Sequence, residues 1–155
     1  MDHDLQRIET AMEALARVGQ SRRAARVRAT RAGVHLTGAA QKVLRRAIED
    51  GPIRISDLAR GSHMSDAVVS RQVTVLENEG LVARVASTED GRVAMVKPTA
   101  AGRQVAGRLR AAADEIFQDT LQRWSRKDLA KLAELMERLS ADLRSGKNES
   151  STKAG

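Results

Sequence analysis

Residues 64–80, MSDAVVSRQVTVLENEG, carry the pattern in this chain that could do chemistry. Val69, Val73 and Leu76 stand at i, i+4 and i+7, so a helix would turn all three to one wall. Asp66, Ala67, Ser70, Arg71 and Thr74 then share the opposite wall. Alanine and serine let a helix come close to another surface, and a guanidinium among them can bond a guanine edge or a phosphate. A major groove about 12 Å wide admits such a helix. Ser65 supplies an N-cap, and its hydroxyl stands with the same exposed set. Further on, Arg84 and Arg92 bracket a turn at Asp90-Gly91, placing two more cations where a hairpin could reach an adjacent minor groove or the backbone. A solvated helix can show the same distribution, with Arg71 paired to Glu77.

Other chemistries find no constellation. Cysteine is absent, which removes disulfides, thiolate metal sites and thiol nucleophiles. His3, His35 and His63 are isolated and share no metal-ligand spacing, so no metal is expected. There is no glycine-rich phosphate loop, no Ser/His/Asp set and no paired carboxylates in a plausible cleft, so neither an enzyme nor a cofactor is expected. Phe117 and Trp124 are the whole aromatic content, which disfavours recognition by base stacking.

The charge balance fits a polyanionic partner. Lysine and arginine number 27 against 20 acids, a formal net charge of +7 over 155 residues. No apolar run approaches the roughly 18 residues of a membrane span, and MDHDLQRIET is too charged for a signal peptide. A cytoplasmic protein with no membrane partner is expected.

The elements that must hold the 64–80 helix can be read around it. Leu5, Ile8, Met12 and Leu15 step by three and four along a first helix from about Asp4, which Gly19 weakens. Arg22, Arg23, Arg26, Arg28 and Arg31 follow on a helical continuation; they could line phosphates, bind an anionic effector or form a solvated face. Thr37 caps a second helix that Gly51-Pro52 stops, residues 53–55 form a minimal strand, and Ser56 caps a short helix burying Leu58 and Ala59. After the 64–80 helix, Gly80 suits a left-handed position. Two β-like runs flank Asp90-Gly91, a hairpin dipeptide; Pro98 ends the second run, and Thr99 caps a long helix with Val105, Leu109, Ala112 and Ile116 inward. Ser125 and Asp128 form a capping box ahead of a last helix with Leu129, Leu132, Met136, Leu139 and Leu143 in an a/d repeat. The outer helices carry stripes suited to a second copy of the chain, unless they pack on each other within one subunit. The fold class expected is mainly α: a winged helix-turn-helix with a small β-hairpin wing, and N- and C-terminal helices forming a dimerisation region.

These residues resemble the MarR family of bacterial winged-helix regulators. ISDLARGSHMSDAVVSRQVTVLENEGLVAR is similar to its helix-turn-helix, EDGR matches its Asp-x-Arg wing signature at Asp90 and Arg92, and PTAAGRQV resembles its Leu-Thr-x-x-Gly entry to the long helix at Thr99 and Gly102. Pro98 stands where that pattern has leucine, and Asp66 is an acid where DNA would approach; it could favour the helix dipole, accept from a cytosine amino group or repel phosphate.

The resemblance covers about residues 4–145 and implies a homodimer whose paired recognition helices enter successive major grooves of a pseudo-palindromic operator. It implies Ser70 and Arg71 on the DNA face, Arg92 at the wing tip, Asp90 bracing the wing arginine or the turn, and Arg84 near the backbone. It also implies a small, often aromatic or phenolic, effector between the dimer helices and the DNA-binding lobe, for which Leu36, Val43, Ile116 and Phe117 are the candidate lining. The organisation expected is a dimerisation region at 4–35, the winged helix-turn-helix at 36–98, further dimerisation helices at 99–145 and a disordered tail at 146–155. The function expected is a sequence-specific repressor of transcription, with a general architectural DNA coater as the alternative.

Overall fold

The computed structural model describes the backbone of residues 2–152 and side chains over 3–145. The order is α1 (Asp2–Gln20), α2 (Arg22–Ala32), α3 (Gly38–Asp50), β1 (Ile53–Arg54), α4 (Ile55–Ser62), α5 (Asp66–Asn78), β2 (Val82–Ala86), β3 (Ala94–Pro98), α6 (Ala100–Leu121) and α7 (Arg126–Thr152). The chain divides into two compact units, with the boundary inside α6 between Ile116 and Phe117.

In the first unit, α3, α4 and α5 pack around side chains that lose all contact with water. Val43, Leu44, Ala47, Leu58, Val69, Val73 and Leu76 are each 0% exposed. Full burial contributes about 1.5–3 kcal/mol for each Val or Leu side chain, so this cluster fixes the angle at which α5 leaves α4. Val105, Leu109 and Ala112 on α6 complete the same core. The three strands form an antiparallel sheet in the order β1-β3-β2, with Ile53 opposite Val96 and Arg84 opposite Val96 from the other side. Pro98, the last residue of β3, pairs with Val82 at the end of the ladder, where a missing N–H does least harm.

Local chemistry explains most boundaries. Ser21 breaks the N-terminal helix: its backbone is extended and its hydroxyl accepts from the Ala24 N–H, so α2 is a separate helix rather than a continuation. Thr37 caps α3 through Ala40, and Ser65 caps α5 through Val68. In α7, Ser125 Oγ accepts from the Asp128 N–H and donates to its carboxylate, closing the expected box.

Two local expectations are corrected. Helix α4 starts two residues earlier than a Ser56 cap requires; Arg54 is its N-cap and makes no side-chain capping bond, because strand β1 already sets the entry of the chain. Asp90-Gly91 is not a two-residue hairpin turn either. The strands end at Ala86 and begin again at Ala94, and Gly91 has no positive φ, so the dipeptide sits inside a longer loop. The stretch expected as a disordered tail from residue 146 continues α7 as backbone to Thr152, whereas residues 153–155 lie outside the described residues.

Candidate nucleic-acid interface

The interface is built on α5. Its buried wall is Val69, Val73 and Leu76, as the spacing requires. On the opposite wall Ser65, Asp66, Ala67, Arg71 and Thr74 are exposed and Ser70 is half-buried. Asp66 occupies the first turn, where a carboxylate meets the positive end of the helix dipole. Arg71 projects from the middle of this face, and its guanidinium makes no hydrogen bond or ion pair among the described residues. Glu77, its alternative partner by sequence, is taken by Arg84 instead, Nε to Oε2 at 3.4 Å.

Arg84 does more than sit beside the backbone of a ligand. From β2 its Nη2 donates to Thr74 Oγ1 at 3.2 Å, while Thr74 Oγ1 donates to the Ser70 carbonyl at 3.1 Å. One guanidinium, bonded to Thr74 and Glu77, thus clasps the C-terminal half of α5 to the root of the wing. Sequence spacing could not show this, because a strand residue and a helix residue ten positions apart share no period.

The wing loop is held by its own short side chains. Ser87 Oγ accepts from the N–H groups of Glu89 and Asp90, and Asp90 Oδ1 accepts from the backbone N–H of Arg92 at 3.0 Å. Of the two roles open to Asp90, the geometry is that of bracing the turn. The Arg92 side chain stays exposed, with no bonded partner among the described residues.

Behind this face, Gly80 (φ 69) turns the chain from α5 into β2, and its carbonyl accepts from Thr99 Oγ1. Leu81 stacks its carbonyl directly over Gly102, where a Cβ would lie 2.0 Å from the oxygen. The glycine of the PTAAG segment is therefore a contact position, and it lets α6 close against the end of the recognition helix.

The candidate effector residues differ in exposure. Leu36 is buried beside a cavity at α2 and α3, and Val43 is 0% exposed in the core, with no surface to offer a ligand. Ile116 is half-buried, and Phe117 is 63% exposed. Of the candidate dimer residues, Leu5, Ile8, Met12, Leu15, Met136 and Leu143 are between 41% and 64% exposed. Leu129, Leu132 and Leu139 are half-buried. Val18 and Leu135 are also exposed and belong to the same apolar inventory, although the a/d pattern did not mark them. Among the described residues no three metal-ligating side chains stand together, and no helix is long and apolar enough to cross a membrane.

A capped helix presented by a three-helix core, with a three-stranded sheet and an arginine-tipped wing beside it, defines a winged helix-turn-helix DNA-binding regulator. The MarR family pattern matches residues 36–94. The chain is 30% identical over 97 residues to an uncharacterised HTH-type transcriptional regulator, YxaD of Bacillus subtilis, covering 63% of this chain and 68% of that one. It is 32% identical to a probable transcriptional regulator from Pseudomonas aeruginosa of known structure, with a TM-score of 0.61 over 81% of this chain and 93% of that one. A MarR family protein from Bacillus stearothermophilus shares the fold at a TM-score of 0.77 and 15% identity, over 93% and 98% of the two chains. The chain belongs to the MarR family: it is a transcriptional regulator, not an enzyme.

Proposed function

We propose that the protein acts as a homodimer that represses transcription from a pseudo-palindromic operator, and that a small-molecule effector releases it. The observation that carries the DNA-reading part is the outer wall of α5, where Arg71 stands beside the small side chains of Ala67 and Ser70 with no hydrogen-bond or ion-pair partner among the described residues. In this reading Arg71 bonds a base edge, Ser65, Ser70 and Thr74 lie against the backbone or base edges, and Arg92 reaches from the wing to the adjacent minor groove. Asp66 favours the helix dipole, while Arg84 and Asp90 hold the helix and wing in register. Residues 36–98 then form the DNA-binding part, and 4–35 with 99–145 form the dimer.

Support for the dimer comes from the exposed apolar stripes of α1 and α7, which carry Leu5, Ile8, Met12, Leu15, Met136 and Leu143. Large apolar side chains exposed along each of these helices are the kind of surface that marks an interaction site. A two-fold dimer would place two copies of α5 one helical turn of DNA apart, roughly 34 Å. Footprinting of the protein on a sequence selected from random duplex tests this directly. Two protected half-sites in inverted orientation, about ten base pairs between centres, are expected; a single protected half-site would remove the dimeric reading.

A further inference from the structure

The arginine run of α2 is not absorbed by the DNA-reading face. It borders a cavity of about 910 Å³ between α2 and the start of α3, within the range of small-molecule sites. Five cations line it, Arg22, Arg26, Arg28, Lys42 and Arg45, and no acidic residue does. The only acid bonded to any of the five is Glu49, 3.9 Å from Arg45 on the solvent side, among the described residues. Arg28 is half-buried, and its Nε donates to Gln41 Oε1 at 2.9 Å. Gln41 is itself buried and fixed by bonds from its amide to the carbonyls of Ala25 and Leu36. The guanidinium is thus aimed by a rigid support.

We propose that this cavity binds a small anion carrying two or more negative charges, of the phosphorylated or polycarboxylate class, and that this anion is the effector. The proposal rests on the effector-release reading above and gives the ligand a charge rather than an aromatic ring. Placing several like charges around one concavity without acids is unfavourable until a counter-charge enters. Consistent with that, burial and then the neighbouring Arg45 lower the pKa of Arg28 from its ordinary value. A small anion fits better than duplex DNA, because a rigid duplex about 20 Å across cannot follow the groove down to a half-buried Arg28. The cavity also touches the reading helix. Thr37, the cap of α3, donates from Oγ1 to Gln72 Oε1 at 3.3 Å, and both residues line the cavity. An anion competing for Thr37 would disturb a contact that seats α5, so the two ligands are coupled through one hydrogen bond and one shared wall.

Pyrophosphate and citrate are the probes, titrated against the full chain by thermal shift and calorimetry at constant ionic strength, with chloride as the control. Saturable binding of either probe is expected, with a rise in melting temperature. Lys42→Gln/Arg45→Gln, on the α3 rim where Lys42 is half-buried and Arg45 exposed, should weaken it at least tenfold, and Arg28→Met should abolish it. Binding to neither probe beyond chloride, or equal binding by the rim variant, would overturn the proposal. DNA titrations separate the other source of phosphate. The rim variant should keep the salt dependence of duplex binding; a slope shallower by about two units would assign the groove to DNA phosphates and overturn the small-anion reading. Anion binding is measured without DNA, so its failure is distinguishable from failure of the DNA-reading assignment.

Discussion

Arg71 and Arg84 show how differently two arginines of the same neighbourhood can be employed. Arg71 has no intramolecular partner among the described residues, so its removal takes little from the folded chain; exposed substitutions of this kind stay within about 0.5 kcal/mol. If it reads a base, Arg71→Ala costs about 1–3 kcal/mol on the cognate sequence and much less on random duplex. Parallel anisotropy titrations check this, and an equal loss on both sequences would reduce Arg71 to a phosphate contact. Period alone placed Arg71 outward and Val69, Val73 and Leu76 inward, because helical phase is a local property. The Arg84–Thr74–Glu77 clasp and the Thr37–Gln72 bond were not legible, since each depends on a tertiary approach between different elements.

At the level of elements, caps and punctuation were readable and loop geometry was not. Ser65, Thr37, Gly80 and the Ser125–Asp128 box all act where their residue types suggest. The wing loop departs from the two-residue turn that Asp90-Gly91 suggests because the Ser87 and Asp90 side chains cap backbone N–H groups of a longer loop. At the junction of α5, β2 and α6, Gly102 leaves no room for a side chain. Gly102→Ala would drive a methyl into the Leu81 carbonyl. Such overpacking costs about 1–3 kcal/mol or more, a fall in melting temperature of roughly 2–4 °C per kcal/mol for a chain of this size. Circular dichroism melts check it; an unchanged midpoint would mean that α6 can slide away from the recognition helix without loss.

For the whole molecule, net charge and outer helices decide behaviour. The +7 balance favours a polyanionic partner, and in the proposed reading duplex binding should weaken steeply with salt. The stripes on α1 and α7 govern assembly in the proposed reading. Leu15 is 64% exposed and Met136 48% exposed, so charging both should leave the monomer fold nearly untouched. Leu15→Glu with Met136→Glu is expected to give a folded monomer by light scattering, and a surviving dimer would move the interface elsewhere. Apart from the break at Ser21 that makes α2 a separate helix, the order of elements was legible from alternating periods of 3.6 and 2, whereas the basic cavity at α2 and α3 was not: its five cations come from two helices whose mutual placement no single stretch encodes.

In the proposed reading α5 reads sequence rather than merely holding DNA. The most direct test is selection of bound duplexes from a random pool, followed by titration of the enriched sequence and a scrambled version at physiological salt. Sequence-specific reading predicts an inverted-repeat motif bound about a thousandfold or more tighter than its scramble. No enrichment, with equal and steeply salt-dependent affinity for both, would contradict it and leave a general coater of DNA.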